Sequence, residues 1–192
     1  ANLPGVEMAP VQCRRLDTAA ATSAADLRAT GADLVIHTAG PFQGQDYGVA
    51  RACLEAGMHY IDLADGRDFV RDFPAQLDAM ARRHGRSAIS GASTLPALSG
   101  AVVDALRDRF DVLQSIDIVI APAQATPLGM ATVRAVLSYC GQPFRCWIDG
   151  RWQAVVGWAD PQPVTFARIA PRLASPCDVP DHDLLVQRHP GV

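Results

Sequence analysis

The sequence predicts an α/β protein: a partial doubly wound parallel sheet followed by an α+β domain whose sheet is mostly antiparallel. Three observations carry this. Leu34, Val35 and Ile36 form a short continuous apolar run, a helix-forming segment follows, and His59-Tyr60-Ile61-Asp62-Leu63 then alternates polar and apolar residues. Run, helix and second strand make a β-α-β unit, which is parallel and right-handed in nearly all cases. A further helix and strand repeat the order over residues 68–92. Beyond residue 111 the order changes to strand, helix, hairpin and strand, which suits an antiparallel sheet with helices on one face. The boundary drawn from this change divides the chain into 1–110 and 111–192.

Size and composition fit this class. The chain has 192 residues, 49% apolar and 19% charged, with a formal net charge of −3, an ordinary globular balance. There is no basic surplus to draw nucleic acid or an anionic membrane, and no apolar run approaches the roughly 20 residues that span a bilayer. Cys13, Cys53, Cys140, Cys146 and Cys177 form no Cys-x-x-Cys pair, which argues against a zinc ribbon or a thioredoxin-type site. Their scatter suits a reducing, cytoplasmic setting in which free cysteines pack as small apolar groups. All 17 basic residues are arginine. Within this stretch the absence of lysine excludes a Schiff-base lysine, a P-loop lysine and a Tyr-x-x-x-Lys pair.

Each element has its own signal. Residues 6–16 carry uneven apolar markers, Val11, Cys13 and Leu16, closed by Asp17, and predict a strand. Residues 19–30 are rich in alanine and end at Gly31, a helix with its stop. The run 34–36 reads as a strand covered on both faces; Gly40-Pro41 ends it, since proline cannot donate to a ladder. Asp46 is a candidate N-cap for a helix over 47–56, and Gly57 stands where a C′ glycine belongs. The helix 68–84 bears Phe69, Val70, Phe73, Leu77 and Met80 at spacings of three and four. Pro74 predicts a kink or a break in it. Arg82-Arg83-His84-Gly85 supplies the cations and glycine that a helix end favours. Residues 86–92 form the next strand, and Pro96 opens a helix over 97–110.

In the second part, residues 114–121 read as a strong strand and 129–139 as a helix. Residues 144–148 and 152–158 form a hairpin about Asp149-Gly150, a strong turn signal. Residues 163–169 read as another strand. Residues 171–192, rich in Pro, Asp and His, read as irregular. Asp178, Asp181, His182, Asp183 and His189 match no defensible metal-ligand spacing, so no metal is expected there.

Several of these segments together carry a resemblance. Ala39-Gly40-Pro41-Phe42 after an apolar strand, a helix ending at Ala56-Gly57, and His59-Tyr60-Ile61-Asp62-Leu63-Ala64-Asp65-Gly66 resemble the saccharopine dehydrogenase-like family of NAD(P)-binding proteins. Ser90-Gly91-Ala92-Ser93-Thr94-Leu95-Pro96 is similar to that family's Gly-x-x-Ser-x-Pro segment, and Asp149-Gly150-Arg151-Trp152 matches as well. The resemblance implies a Rossmann-type sheet, a cofactor that is NAD or NADP, and hydride transfer to or from a small molecule held between the two domains. It implies that a Gly-rich first β-α-β lies upstream and part of the second domain downstream. It also implies that the second sheet covers the substrate and can mediate a homodimer. Related families include enoyl and imine reductases on carrier-bound or polyamine-like substrates; a Rossmann-derived scaffold without turnover is the non-enzymatic alternative.

Ligands of open α/β sheets sit beyond the carboxyl ends of the strands, which selects the candidates. With the resemblance, the crossover turn Thr38, Ala39, Gly40, Pro41 and Phe42 is expected to contact the cofactor, Phe42 either covering a ring or filling the core. Asp17 lies near the adenine or caps the next helix. Asp62, Ser93 and Thr94 are candidates for substrate contact, Ser93 and Thr94 competing with an N-capping role. Asp65 and Asp68 read as helix-capping charges. His37 reads as a hydrogen-bonded core residue more readily than as a catalyst. No residue has a clear acid/base role.

Overall fold

The computed structural model describes residues 12, 13, 15–17, 24–123, 125 and 127–192. The strand expected over 6–16 lies largely outside them, and of the helix expected over 19–30 the structure gives α1 (Ala24–Arg28). Three parallel strands follow, β1 (Leu34–His37), β2 (His59–Asp62) and β3 (Ala88–Ile89), hydrogen-bonded in the order β1-β2-β3. Between them run α2 (Gly48–Glu55) and α3 (Arg67–His84). Right-handed crossovers between neighbouring strands put successive helices on the same face, and α2 packs beside α3 there.

Local chemistry sets these elements. Asp46 Oδ1 accepts the Gly48 N–H at 2.8 Å at the start of α2, and the helix ends before Gly57, whose φ of 78° suits a residue without Cβ. Gly85, with φ 61°, closes α3 in the same way. Pro74 does not break α3 into two helices, one of the two outcomes the sequence left open. It lies on the exposed side, while Phe69, Val70, Phe73 and Leu77 are all buried on the opposite side and hold the helix to the sheet. Their burial outweighs the one hydrogen bond a proline forfeits.

The core lies between this helix layer and the sheet. Tyr60, Leu54, Leu77 and Cys53 are among its largest fully buried side chains. An aromatic chain runs through it: Tyr60 stacks on Phe73 at 5.9 Å, Tyr47 meets Phe69 at 4.6 Å, and Phe69 meets Phe42 at 5.5 Å. The opposite face differs from the two-sided burial expected of β1. Leu34, Ile36 and Ile89 are 41%, 60% and 50% exposed. Ile36, Ile61 and Ile89 share one row of the ladder, so among the described residues the sheet is layered on one side only.

After β3 the chain makes a kinked helical turn (Thr94–Leu98) and enters α4 (Ser99–Arg107). The strand expected over 114–121 is extended but joins no ladder among the described residues. The remaining strands satisfy each other: β4 (Pro143–Ile148) with β5 (Arg151–Val156), and β6 (Gln162–Val164) with β7 (Arg172–Ala174). The second part therefore holds α5 (Met130–Ser138) and two separate antiparallel pairs. The β4–β5 turn is the one read from Asp149-Gly150, with φ of 51° and 71°, as a two-residue turn with both central residues left-handed requires.

Residues 171–192 are more ordered than their composition implies. They contain β7 and α6 (Asp181–Arg188). Asp181 and Asp183 lie in the first turn of α6, where negative charge is favoured. Leu184 packs against the aromatic core of the first unit. Tertiary contact here overrides weak helix propensity.

Candidate functional site

The carboxyl ends of β1, β2 and β3 bring together three loops. The first is the crossover turn after His37. Its Thr38 and Ala39 are exposed, Gly40 and Pro41 half-buried, and Phe42 buried. Gln45 fastens the turn from within, its Nε2 donating to Ala39 O at 2.8 Å and to Pro41 O at 2.6 Å. Gln43 ties it to the next loop by donating to Asp65 Oδ1 at 3.2 Å. Gly66 seats the start of α3 on the same turn. A Cβ at Gly66 would stand 3.2 Å from the Phe42 carbonyl carbon and from Gln43 N, tighter than ordinary contact with main-chain atoms that cannot rotate away.

The second part of the chain reaches this turn. Ala131 of α5 would lie 3.9 Å from a Cβ on Gly40. Gly40 has ordinary room on every side, so its value is a low profile rather than an unusual backbone angle. Phe42 takes the core alternative left open by the sequence: its ring meets His37 at 5.1 Å and Phe69 at 5.5 Å. The outer surface of the turn is therefore Thr38, Ala39 and main chain, while the Phe42 ring is buried.

Asp62 ends β2 and is fully buried. Its Oδ1 accepts from Ala64 N at 3.0 Å, Gly91 N at 2.8 Å and Ser90 Oγ at 2.9 Å. One carboxylate thus fixes the loops leaving both β2 and β3. Charge-assisted bonds to main-chain N–H groups are among the stronger ones a buried carboxylate can form. Among the described residues no donor reaches its Oδ2.

Beside Asp62 stands a pair that sequence reasoning did not join. His37 Nδ1 is 2.9 Å from Tyr60 Oη, and His37 and Asp62 are register partners across β1 and β2. Burial lowers the His37 pKa, against an opposing pull from Asp62. Burial, followed by the nearby Asp62, raises that of Tyr60. Both groups are therefore neutral at pH 7, one donating to the other. Only strand register brings residues 37, 60 and 62 onto one face, which is why spacing alone gave no sign of the cluster.

Ser93 and Thr94 sit beyond β3. Ser93 Oγ donates to Leu95 O at 2.7 Å and caps no helical N–H. Thr94 is exposed and lies at one end of an apolar groove of about 650 Å³ running along α4 and residues 112–120. Asp17 is exposed, and most residues around it lie outside those described. The three loops thus gather Thr38, Ala39, Gly40, Asp62, Ser93 and Thr94 at one end of the sheet, with Asp62 beneath the surface.

Residues 3–89 match the family model described as the saccharopine dehydrogenase NADP binding domain. Over this segment the chain is similar to that family. The match ends at the last residue of β3, so it takes in the whole parallel sheet and the first two of the three loops. No curated protein matches the chain. A saccharopine dehydrogenase-type NADP-binding domain implies NAD or NADP as cofactor, and such domains occur in NADP-dependent oxidoreductases. The crossover turn fits a flat dinucleotide: its outer residues are small and exposed, and its shape is held by Gln45 and Gly66 from the inner side.

A polar contact joins this domain to residues beyond the match. Arg67, the first residue of α3, donates Nε and Nη2 to Asp183 at 2.6 and 2.7 Å. Its Nη1 donates to Asp178 at 3.0 Å and to Arg145 O at 2.6 Å. The fork geometry of guanidinium suits such a bidentate carboxylate. Asp178, Asp181 and Asp183, which might have been read as metal ligands, are thus engaged with Arg67 and Ser99. His182 Nε2 donates to Cys177 O at 3.0 Å. Among the described residues, no helix is long and apolar enough to cross a membrane.

Proposed function

We propose that the chain is part of an NAD(P)-dependent oxidoreductase that moves hydride between nicotinamide and a small molecule bound between residues 1–110 and 111–192. The observation that supports this reading most is the crossover turn of a family-matched NADP-binding domain, exposed at Thr38 and Ala39, with Ala131 of α5 close to Gly40. A dinucleotide on that turn would lie beside residues of the second part, where a substrate can meet it. The cofactor supplies the reactive carbon of the nicotinamide. The residues of this chain orient it: Thr38 offers a hydroxyl, Ala39 and Gly40 offer main chain at low profile, and Gln45 keeps the Ala39 and Pro41 carbonyls turned inward. Thr94 is placed for substrate contact at the neighbouring loop. Asp62 acts beneath them by holding the loops after β2 and β3, and His37 keeps the floor of the turn uncharged.

The burial of His37 and Asp62 favours keeping a second reading, a scaffold that retains the fold without turnover, since neither group meets solvent at the strand ends. Titration with NADH and NADPH, followed by the fluorescence of the reduced nicotinamide, tests the first reading. Saturable binding weakened by Thr38→Val or by a bulky residue at Ala39 supports it. No binding of either nucleotide by folded protein leaves the scaffold.

A further inference from the structure

Residues 112–121 are extended, and among the described residues no main-chain group joins their N–H and C=O groups. They lie outside both antiparallel pairs of the second part. The stretch Gln114-Ser115-Ile116-Asp117-Ile118-Val119-Ile120-Ala121 has the composition of a strand. Ile116, Ile118 and Ile120 fall on one side of an extended chain, and Pro122, without an N–H, ends the run.

The same residues form one wall of the apolar groove of about 650 Å³. The other wall is α4, whose Leu98, Val102 and Leu106 follow at intervals of four and are 57%, 49% and 39% exposed. Arg107 and Asp117 are the only charged residues in the lining. A strand with free edges beside an open apolar helix face has two needs. A neighbouring strand must complete the ladder, and its apolar side chains must cover the helix. A small apolar ligand meets only the second need, and a strongly charged peptide only the first. The occupant that meets both has an unpaired edge of its own and a branched apolar residue at every second position. Residues 114–121 answer that description, and every copy of the chain carries them.

They are also their own complement in register. Antiparallel pairing about a twofold axis makes one residue meet itself. With Ile118 at that position, Ile116 faces Ile120 and Asp117 faces Val119. With Asp117 there, two carboxylates stand directly opposite each other, which is destabilising. With Val119 there, Ile116 faces Pro122, which has no N–H to donate.

We propose that this chain self-associates through residues 114–121, two copies pairing antiparallel about Ile118 so that each strand covers the other's groove along α4. The surface is separate from the strand-end loops and does not depend on nucleotide binding.

The test is sedimentation velocity of the full chain over a dilution series, with hydrogen exchange of the 114–121 amides followed at the same concentrations. The expected result is a monomer–dimer equilibrium in which these amides are protected only in the dimer. Ile118 is 38% exposed, so Ile118→Asp and Ile118→Lys should each keep the wild-type circular dichroism. Each should weaken self-association about tenfold or more by setting like charges opposite one another in an apolar interface. Mixed together, the two variants pair opposite charges and should recover the dimer, because residue 118 meets itself. Ile116→Lys mixed with Ile120→Asp repeats the test at the flanking pair, and decides it if an Ile118 variant does not fold. A dimer that both Ile118 variants leave intact overturns the proposal, as does the absence of recovery in the mixtures. A monomer at every concentration also overturns it: protected amides would then assign the edge to another segment of the same chain, and unprotected amides would leave it to solvent.

Discussion

His37 Nδ1 and Tyr60 Oη meet at 2.9 Å inside the helix-covered face of the sheet, on neighbouring strands. The pair links the end of β1, where the crossover turn begins, to the aromatic core through the stacked rings of Tyr60 and Phe73. A charge on His37 would be buried 5.1 Å from the Phe42 ring. The turn's geometry is thereby coupled to the protonation of one buried imidazole.

The first prediction follows from that coupling. Burial holds the His37 pKa in the folded chain below the ordinary value of 6.5. The unfolded chain therefore takes up its proton first as pH falls. The contribution of neutral His37 is fully present above pH 6.5 and is lost progressively as pH drops through 6.5 towards the folded value, at no more than about 1.4 kcal/mol per pH unit. Urea unfolding between pH 7.5 and 5 should show this loss, and His37→Gln should flatten that part of the profile. An unchanged profile in the variant would assign the acid sensitivity to other groups.

A second prediction separates Gly66 from Gly40. Gly66→Ala places a Cβ 3.2 Å from main-chain atoms of Phe42 and Gln43, whereas Gly40→Ala meets only side-chain carbons at 3.8 Å or more. Gly66→Ala should shift the crossover turn and weaken dinucleotide binding several-fold. Gly40→Ala should leave stability within about 0.5 kcal/mol, the usual range for a substitution that meets no clash. Titration of both variants with NADPH checks this. Equal affinities would place the nucleotide away from the turn.

The β-α-β unit was legible because its signals are local. Gly57, Gly85 and the Asp149-Gly150 turn each act within a few residues and stand where the sequence placed them; Asp46 stands one residue before the N-cap, Tyr47, rather than at it, and its carboxylate accepts the Gly48 N–H. What could not be read depends on contacts between distant residues. Asp62 looked like a free strand-end carboxylate, and only the fold brings the N–H of Gly91 and the hydroxyl of Ser90 to it. α6 forms from a Pro- and Asp-rich stretch because Arg67, more than 100 positions earlier, receives Asp183. Pro74 would stop an isolated helix, yet the flanking Phe73 and Leu77 anchors carry α3 through it. Residues 114–121 have the composition of a strand and no partner edge among the described residues, and composition alone cannot supply one.

Gly91 gives a third prediction. Its φ is +79°, and an added Cβ would lie 2.9 Å from Pro96 Cδ. Gly85 has φ +61° with nothing within 4 Å. Gly85→Ala measures the backbone cost alone, about 1–2 kcal/mol for a left-handed alanine. Gly91→Ala adds the clash and disturbs the N–H that Asp62 receives, for a total of about 3 kcal/mol or more. Thermal or urea unfolding should rank them in that order, and equal losses would show that the Pro96 ring yields freely.

The contact between Arg67 and Asp183 carries the last prediction. Both side chains are largely shielded from water, 10% and 13% exposed. Burial pushes the Asp183 carboxyl up, but the hydrogen bonds and charge of Arg67 pull it further down, so it ends below the ordinary value of 3.8. Its contribution to stability is therefore present above pH 3.8 and is lost as pH falls through the depressed folded value. Arg67→Met removes the partner and leaves Asp183 and Asp178 with uncompensated charge, at a cost of about 3 kcal/mol. Arg67→Lys supplies charge without the planar fork and should recover only part of it. Because the loss arises largely from the stranded carboxylate, Arg67→Met combined with Asp183→Leu should be more stable than Arg67→Met alone. Urea unfolding of the two single variants and the double variant, at pH 7, closes the cycle. Additive losses would show that the two residues stabilise the chain independently, and the contact would then contribute nothing to holding α6 on the NADP-binding domain.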